Sequence, residues 1–353
     1  MIGIGIIGIG FGARVHLPAF EALKKQVRVV ALAGTDASET KRIADEHRIQ
    51  FATTSWRALI KHPLVEAVSV ATPPNTHAEI VLLALKSGKH VLCEKPLSPS
   101  VIETDLMTQT AQKSRLVHGI DFEFRMTPEW AQAKKLVARG RIGQLQYIHI
   151  SWLTGGRARK DLPITWRQRQ DGGGVLSEFG SHLVDFIEWL AGPIVAVSTD
   201  LETIKYYPKR ERRFLADDMC NMLLRLKNGA FANVVISNVV HGGNGFSIEL
   251  YGTQGTLKLV NNNLGDSVYG FELFEGIPGR DGVRRLLTPR SFSRENTLPS
   301  DGRILAFREM AKQFIAAIQK KPTDLPDFTV GRRVQRVIEA ARRSAQRDTW
   351  VKV

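Results

Sequence analysis

Three ionisable side chains recur at helical spacing after the triplet Gly172-Gly173-Gly174. Glu178, His182 and Asp185 occupy positions i, i+4 and i+7, so an α-helix over about residues 173–190 would place them on one face. A histidine there could exchange a proton with a hydroxyl group near neutral pH, and Glu178 could orient its ring or stabilise its charge. A hydrogen-bonded core histidine is the competing interpretation. A third metal ligand at matching spacing is missing from the sequence, so we predict no metal site.

A glycine-rich segment follows the first apolar run of the chain. Gly8-Ile9-Gly10-Phe11-Gly12-Ala13 matches the pattern G-x-G-x-x-G/A, with Ala13 in the third position. Gly8 would permit a tight turn, Gly10 would let the backbone approach a pyrophosphate, and a small residue at 13 would let a helix pack closely on the strand. Glycines also serve turns that bind nothing, but a strand before and helical sequence after favour a dinucleotide site.

The second predicted strand should end with the group that recognises the adenosine ribose. Gly34 stands where an acidic residue would bind the 2′-hydroxyl, and Asp36 comes only two residues later. The missing carboxylate removes a repulsion against a 2′-phosphate, which Thr35, Lys41 or Arg42 could bind. We therefore expect NAD or NADP as cofactor, with a slight preference for NADP.

Two further segments end predicted strands at the same edge of the sheet. Thr72-Pro73-Pro74-Asn75-Thr76-His77 follows one strand, and Asn75 could bind a ligand there, cap the next helix, or do both. Glu94-Lys95-Pro96 follows the next strand, with an X-Pro bond that is able to be cis. Loss of water at the end of a buried strand would favour a neutral amine on Lys95, suited to proton transfer or carbonyl polarisation. A lone lysine is usually a solvated surface charge, but its place beside the predicted nicotinamide site favours chemistry.

The pattern of apolar runs predicts an α/β protein with two domains. Residues 1–121 alternate apolar runs with amphipathic stretches, as in a Rossmann domain with a parallel sheet. Its predicted strands are residues 2–7, 27–33, 65–71, 90–94 and 116–120. Residues 122–353 read as a substrate-binding and oligomerisation α+β domain with a large, mostly antiparallel open sheet. Asn228-Gly229 and the segment 252–255 are its hairpin signals.

These motifs, in the order in which they occur along the chain, resemble the Gfo/Idh/MocA family of oxidoreductases over nearly its whole length. The quoted segments are residues 8–16, 72–77, 94–96, 166–167 with 172–185, and 326–331. The resemblance implies an NAD(P)-dependent enzyme that transfers a hydride to or from a sugar, sugar acid or cyclitol. It implies a sheet used for oligomer contact, hence a homodimer or homotetramer. Lys95 and His182 fall on catalytic positions, and Glu178 replaces the usual Asp. The cofactor-binding set is then Gly8, Gly10, Phe11, Gly12, Ala13, Thr35, Thr72, Pro73, Asn75, His77, Glu94 and Lys95.

The loop before the helix with His182 is the predicted edge of the substrate pocket. It contains Arg157 and Arg159 and ends in Trp166-Arg167. An aromatic ring could stack on a polyhydroxylated ring while cations bind its hydroxyls or a carboxylate. We assign Trp166, Arg167 and Asp185 to substrate binding. Solvent exposure is the competing interpretation of the loop arginines.

The composition of the chain bears on its partners, on membrane insertion and on its compartment. The 353 residues carry 49 Lys and Arg against 35 Asp and Glu, a formal charge of +14 that could attract nucleic acid, membranes or anionic ligands. The basic clusters, at 157–160, 209–213 and 342–343, do not alternate with aromatic residues, so we predict no nucleic-acid partner. An uninterrupted apolar stretch of about 18 residues is absent, so we predict no membrane span. Only two cysteines occur, without metal-type spacing, which favours a reducing compartment and a cytoplasmic protein.

Two other functions remain open from the sequence. A dinucleotide-sensing binding protein on the same fold would keep Gly8 and Gly10 but would need neither Lys95 nor His182. An NAD-dependent glycoside hydrolase would oxidise its substrate transiently and would release a sugar without net reduction of the cofactor.

Overall fold

The computed structural model describes residues 1–159, 161–205, 215–263, 268–288 and 301–353. Lys160 and the basic cluster at 209–213 lie outside these ranges. The chain divides into two compact units. The first comprises Met1–Glu123 with the described part of Pro299–Gln335, and the second comprises the described part of Phe124–Leu298 with Arg336–Val353.

The first unit contains a six-stranded parallel sheet in the order β3-β2-β1-β4-β5-β6. Continuous apolar sequence explains its central strands, because both faces of such a sheet are covered by helices. All four residues of β4 are buried. The elements are β1 (Ile2–Ile7), α1 (Leu17–Glu21), β2 (Val27–Ala33), α2 (Ala37–Glu46), β3 (Phe51–Thr53), α3 (Trp56–Lys61), β4 (Ala67–Val70), α4 (His77–Lys86), β5 (His90–Cys93), α5 (Val101–Ser114) and β6 (His118–Ile120).

The second unit is built on a nine-stranded sheet in the order β14-β13-β12-β11-β7-β10-β9-β8-β15. Among the described strand pairs of this second sheet only β7–β10 is parallel, which confirms the predicted mostly antiparallel sheet. Its elements are α6 (Pro128–Ala138), β7 (Leu145–Leu153), α7 (Ser181–Ala191), β8 (Ile194–Glu202), β9 (Met219–Leu226), β10 (Phe231–Ser237), β11 (Gly245–Gly252), β12 (Gly255–Asn261), β13 (Glu272–Gly276), β14 (Arg284–Leu286) and, after the last two helices, β15 (Val351–Lys352). Both predicted hairpins are present, β9–β10 and β11–β12.

The segment that contains the last two helices is divided between the two compact units. These helices are α8 (Arg303–Ile318) and α9 (Phe328–Arg347). We assigned the whole of 122–353 to the second domain, but residues 301–335 belong to the first unit. The reason is packing: Phe307 of α8 stacks on His16 at 3.8 Å and meets Phe20 edge-on at 5.6 Å. An apolar helix face does not reveal from sequence which core it will join.

One face of the nine-stranded sheet carries partly exposed apolar side chains. Tyr147, Phe231 and Tyr251 are neighbours across β10, β7 and β11, and they are 39%, 49% and 38% exposed. The rings of Tyr147 and Tyr251 stack at 6.0 Å. Alternate residues of the same strands, such as Ile148 and Ile248, are completely buried on the other face. None of the helices in the described ranges is long and apolar enough to cross a membrane.

Candidate functional site

The glycine-rich loop between β1 and α1 has the shape that a pyrophosphate requires. Gly8 has φ +109°, and a Cβ there would lie 2.3 Å from the carbonyl oxygen of Ala71. At Gly10 no described atom lies within 4 Å of the position a Cβ would take, so the backbone is open to a ligand. A Cβ on Gly12 would lie 3.0 Å from Ile6 and 3.2 Å from Ala71. Gly12 is therefore the residue that lets the helix pack closely on the strand. We assigned this role to Ala13, which is only half-buried.

Cations that the sequence did not single out lie beside this loop. A π-helical turn, Gly12–His16, precedes α1. The guanidinium of Arg14 lies 5.8 Å from the ring of Phe11, and that of Arg303 lies 4.9 Å from it. Asp301 pairs with both, at 3.3 Å from Arg14 Nε and 2.6 Å from Arg303 Nη2. Arg14 and Arg303 are almost three hundred residues apart in the chain, so no local sequence pattern predicts that they lie close together.

The side chain of Asp36 accepts hydrogen bonds at the start of α2. Its Oδ1 accepts hydrogen bonds from Glu39 N at 2.9 Å and from Ser38 Oγ at 2.7 Å, which makes it the N-cap of the helix. Thr35, directly before it, is exposed.

Close packing around Gly34, directly after β2, leaves no room for a side chain. A Cβ there would lie 2.7 Å from Ile9 Cγ2 and 2.5 Å from Thr40 Oγ1, so even a small side chain would displace its neighbours. Lys41 and Arg42 are exposed and form ion pairs with acidic residues of their own helix. Such exposed pairs contribute little and leave the cations available to an anion.

The segment after β4 forms a 3₁₀ turn, Pro74–Thr76, at the carboxyl edge of the parallel sheet. Thr72 and Pro73 are half-buried and Asn75 is exposed. The residue that precedes α4 is Thr76, so the alternative of Asn75 as the helix cap is wrong. His77 is completely buried, with Nε2 2.9 Å from Thr72 O and Nδ1 3.1 Å from the carbonyl oxygen of Pro96. It links the two loops of this edge, and burial lowers its pKa.

Lys95 and Glu94 follow β5 at the same edge. The Lys95–Pro96 bond is cis, as the sequence allowed, and Lys95 is half-buried. Its backbone N–H donates to Glu94 Oε2 at 3.2 Å. Glu94 Oε1 lies 3.0 Å from His16 Nε2 in the interior. Burial alone would raise the pKa of Glu94, but the hydrogen bond and charge of His16 outweigh it and lower the pKa to about 2.

The predicted helix over residues 173–190 is not one continuous α-helix. A π-helical turn, Leu176–Gly180, leads into α7, so Glu178 and His182 are separated by a wider turn than we assumed. Glu178 forms an ion pair with Arg167. His182 is 4% exposed, and its ring lies 4.3 Å from that of Phe124.

Asp185 is part of the core of the second unit. It is 2% exposed and accepts two hydrogen bonds from Arg125, at 2.8 Å from Nε and 2.5 Å from Nη2. The guanidinium of Arg125 also lies 5.3 Å from the ring of Trp189. These contacts give Asp185 a structural partner where we assigned a substrate.

The loop before the π-helical turn is anchored at its end. Trp166 and Arg167 lie in a 3₁₀ turn whose capping residue, Thr165, forms a capping box with Gln168. The guanidinium of Arg167 stacks on the ring of Trp166 at 4.6 Å. Earlier in the loop Arg159 is exposed and pairs with its neighbour Asp161.

Sequence reasoning missed a set of buried ionisable groups near Glu94. Asp121 and Glu123 follow β6 and are 0% and 3% exposed, and His16 is also fully buried. Acidic residues directly after a short apolar strand were the available signal, since that position is the carboxyl edge of a parallel sheet.

The fold and the glycine-rich loop define a two-domain dinucleotide-binding oxidoreductase. Residues 2–122 match the NAD-binding Rossmann model of the Gfo/Idh/MocA oxidoreductase family, and residues 134–353 match its C-terminal alpha/beta domain. The chain belongs to this family.

Similar proteins include dehydrogenases of sugars. An uncharacterized oxidoreductase from Synechocystis is 31% identical over 99% of this chain and 95% of its own. Levoglucosan dehydrogenase from Pseudarthrobacter phenanthrenivorans is 27% identical over 100% of this chain and 98% of its own. A structure of levoglucosan dehydrogenase in complex with NADH superimposes with a TM-score of 0.88 at 26% identity, covering 100% of this chain and 99% of that one. Glucose-6-phosphate 3-dehydrogenase from Bacillus subtilis is 27% identical over 95% of this chain and 94% of its own.

Proposed function

We propose that this protein transfers a hydride between a nicotinamide dinucleotide and a hydroxyl-bearing carbon of a sugar, sugar acid or cyclitol. The observation that carries the proposal is the open backbone at Gly10, in the loop after β1 of the same parallel sheet in which Lys95 follows β5. Ligands of such sheets bind at the carboxyl ends of the strands. The similarity to levoglucosan dehydrogenase and glucose-6-phosphate 3-dehydrogenase supports a sugar-like substrate.

The chain would supply binding, orientation and proton transfer. A bound nicotinamide accepts or donates the hydride. The backbone at Gly10 holds the pyrophosphate, with Thr72, Pro73 and Asn75 along the sheet edge. In the oxidation direction the substrate C–H bond breaks as a hydride, the O–H proton passes to His182, and a carbonyl forms. Lys95 holds the reacting oxygen and stabilises its negative charge during the transfer.

Glu178 and Arg167 would adjust this proton transfer. We propose that the negative charge of Glu178, which lies in the π-helical turn before α7, orients the imidazole of His182. Arg167 balances that charge through its ion pair with Glu178, and its guanidinium stacks on the ring of Trp166. We propose that Trp166 and Arg167 contact the substrate ring.

The cofactor preference follows from the groups around the ribose position. We propose that both NAD and NADP bind, with a preference for NADP. Asp36 is committed to capping α2, and the exposed Thr35, Lys41 and Arg42 suit a 2′-phosphate.

The row of Tyr147, Phe231 and Tyr251 supports assembly through the second sheet. A contiguous exposed apolar face usually marks a contact with another protein surface. We propose a homodimer or homotetramer, the closed assemblies that such a face forms most readily. The two free cysteines, Cys93 and Cys220, are buried thiols, which suits the cytoplasm.

A screen of the purified protein tests the proposed reaction. NAD and NADP would each be combined with sugars, sugar acids, cyclitols and short-chain alcohols, with the absorbance of the reduced nicotinamide as readout. We expect cofactor reduction with a polyhydroxylated ring and none with short-chain alcohols. Release of a sugar from a glycoside without net cofactor reduction would favour the hydrolase, and cofactor binding without turnover of any compound would favour the sensor.

A further inference from the structure

A buried carboxyl group without a hydrogen-bond donor lies beside the loop that carries Lys95. Asp121 follows β6, and its backbone N–H donates to the carbonyl oxygen of Cys93 at 2.8 Å, which holds it alongside the end of β5. Its side chain is completely buried. Neither of its carboxyl oxygens has a hydrogen-bond donor among the described residues.

The group that Asp121 faces is the carboxyl of Glu94, with His16 as third member. One ligand-type atom from each of the three lies within 4.8 Å of the others. His16 Nε2 is 3.0 Å from Glu94 Oε1 and 3.9 Å from Asp121 Oδ2. The imidazole is fixed on its other side, because Nδ1 lies 2.8 Å from Ser69 Oγ and the ring stacks on Phe307.

Two facing carboxyls in a buried site cannot both be ionised at low cost. Each ion would lose its hydration, and the two like charges would repel. A single proton removes both problems, since a protonated carboxyl is a donor and its neighbour remains an acceptor. Glu94 already accepts hydrogen bonds from His16 and from the backbone N–H of Lys95. Asp121 has no such donor, so it is the group that keeps the proton.

The charges around the pair agree with this assignment. Burial raises the pKa of Asp121 well above its usual range, and the charges of Glu123 and Glu94 raise it further, while Lys95 opposes them. Glu123, which Arg303 of α8 also influences, has its pKa raised to about 7 by burial and by the charge of Glu94. The titratable and charged groups that interact with the pair are therefore His16, His77, Cys93, Lys95, Glu123 and, through Glu123, Arg303.

We propose that Asp121 is a neutral carboxylic acid that donates its proton to Glu94, and that it is thereby a positioning residue for Lys95. Glu94 is then held from three sides, by His16, by Asp121 and by the Lys95 amide. The last of these bonds fixes the backbone from which the Lys95 side chain projects. The part concerning Lys95 rests on the proposed function, whereas the protonation of Asp121 does not.

The sharpest test replaces Asp121 by asparagine and measures stability against pH. An amide donates to Glu94 without titrating, so Asp121→Asn preserves the hydrogen bond and removes the proton. In the wild type the folded state holds a proton that the unfolded chain releases above the ordinary Asp pKa. Raising the pH therefore favours unfolding of the wild type, by about tenfold in the unfolding constant for each pH unit, up to the folded-state pKa. Relative to the wild type, Asp121→Asn should gain about a hundredfold between about pH 5 and pH 7.

A matched control is Asp45→Asn, at an exposed aspartate of α2 whose side chain is 61% exposed. Its stability relative to the wild type should not change over this pH range. An infrared carboxylic acid C=O band that is present in the wild type and lost in Asp121→Asn is the second expected result. A pH-independent stability difference, absence of that band, or failure of Asp121→Asn to fold would each overturn the proposal.

Two further measurements separate the alternatives. A divalent cation that copurifies with the wild type and is lost from Asp121→Asn would show that a metal, not a proton, neutralises the pair, and would overturn the proposal.

With the best substrate, Asp121→Asn should keep kcat within about threefold, while Asp121→Leu, which cannot donate, should lower it about tenfold or more at unchanged cofactor Kd. An equal loss in both variants would refute the positioning role. If no substrate is turned over, the proposed function fails, while the stability and infrared results still judge Asp121.

Discussion

Replacing Asp185 by alanine should destabilise the second unit by about 3–5 kcal/mol, because removing one partner of a buried ion pair leaves the other charge without its counter-charge. The pair with Arg125 is bidentate, at 2.8 and 2.5 Å, and the two side chains are only 3% and 8% exposed. Solvent therefore screens little of the interaction. A loss of this size corresponds to roughly two to four orders of magnitude in the unfolding constant.

Urea unfolding followed by tryptophan fluorescence measures this loss in the right part of the molecule. Of the six tryptophans, all except Trp56 belong to the second unit. The matched control is the double variant Asp185→Leu/Arg125→Met, which leaves no lone charge and should recover most of the lost stability. If Asp185→Ala unfolds within about 0.5 kcal/mol of the wild type but raises the KM for substrate, Asp185 faces the substrate and our interpretation of the pair fails.

Three further predictions concern the cofactor, assembly and pH. Thr35→Asp should shift preference towards NAD by about tenfold in the ratio of Kd values, because a carboxylate repels a 2′-phosphate; fluorescence titration with both cofactors measures it, and an unchanged ratio contradicts it. Phe231→Lys should dissociate the oligomer seen by light scattering, whereas Ile102→Lys, at a residue of α5 that is 82% exposed, should not; a monomeric wild type would refute the interface. Glu123, whose pKa is raised to about 7, holds a proton in the folded state, so the wild type loses stability as pH rises between about 4.5 and 7. Glu123→Gln should remove the share of that loss that Glu123 contributes, on the order of 3 kcal/mol in urea unfolding, and should leave the share of Asp121; an unchanged pH profile would contradict it.

Elements with a strong local pattern could be predicted from the sequence. The continuous apolar runs of β1 and β2 were placed with their observed bounds, because strands buried on both faces admit few polar residues. The β9–β10 hairpin followed from Asn228-Gly229, where Gly229 has φ +89°. Edge strand β3, with three half-buried residues, has no comparable signal.

Contacts between distant segments could not be predicted. The pairing of Asp185 with Arg125, of Glu94 with His16, and the stacking of Phe307 on His16 join residues far apart in the chain. Helical periodicity placed Asp185 beside His182 but did not show which partner would neutralise it. The π-helical turn before α7 was also missed, because its sequence is equally compatible with an α-helix.

The central claim is that Lys95 and His182 carry out the proton transfer that accompanies hydride transfer. The most direct test measures kcat for Lys95→Met and His182→Ala with the best substrate and cofactor, alongside the cofactor Kd of each variant. We expect kcat to fall by roughly 10²-fold or more in each, with cofactor binding largely retained. Turnover close to that of the wild type in both variants would contradict the account.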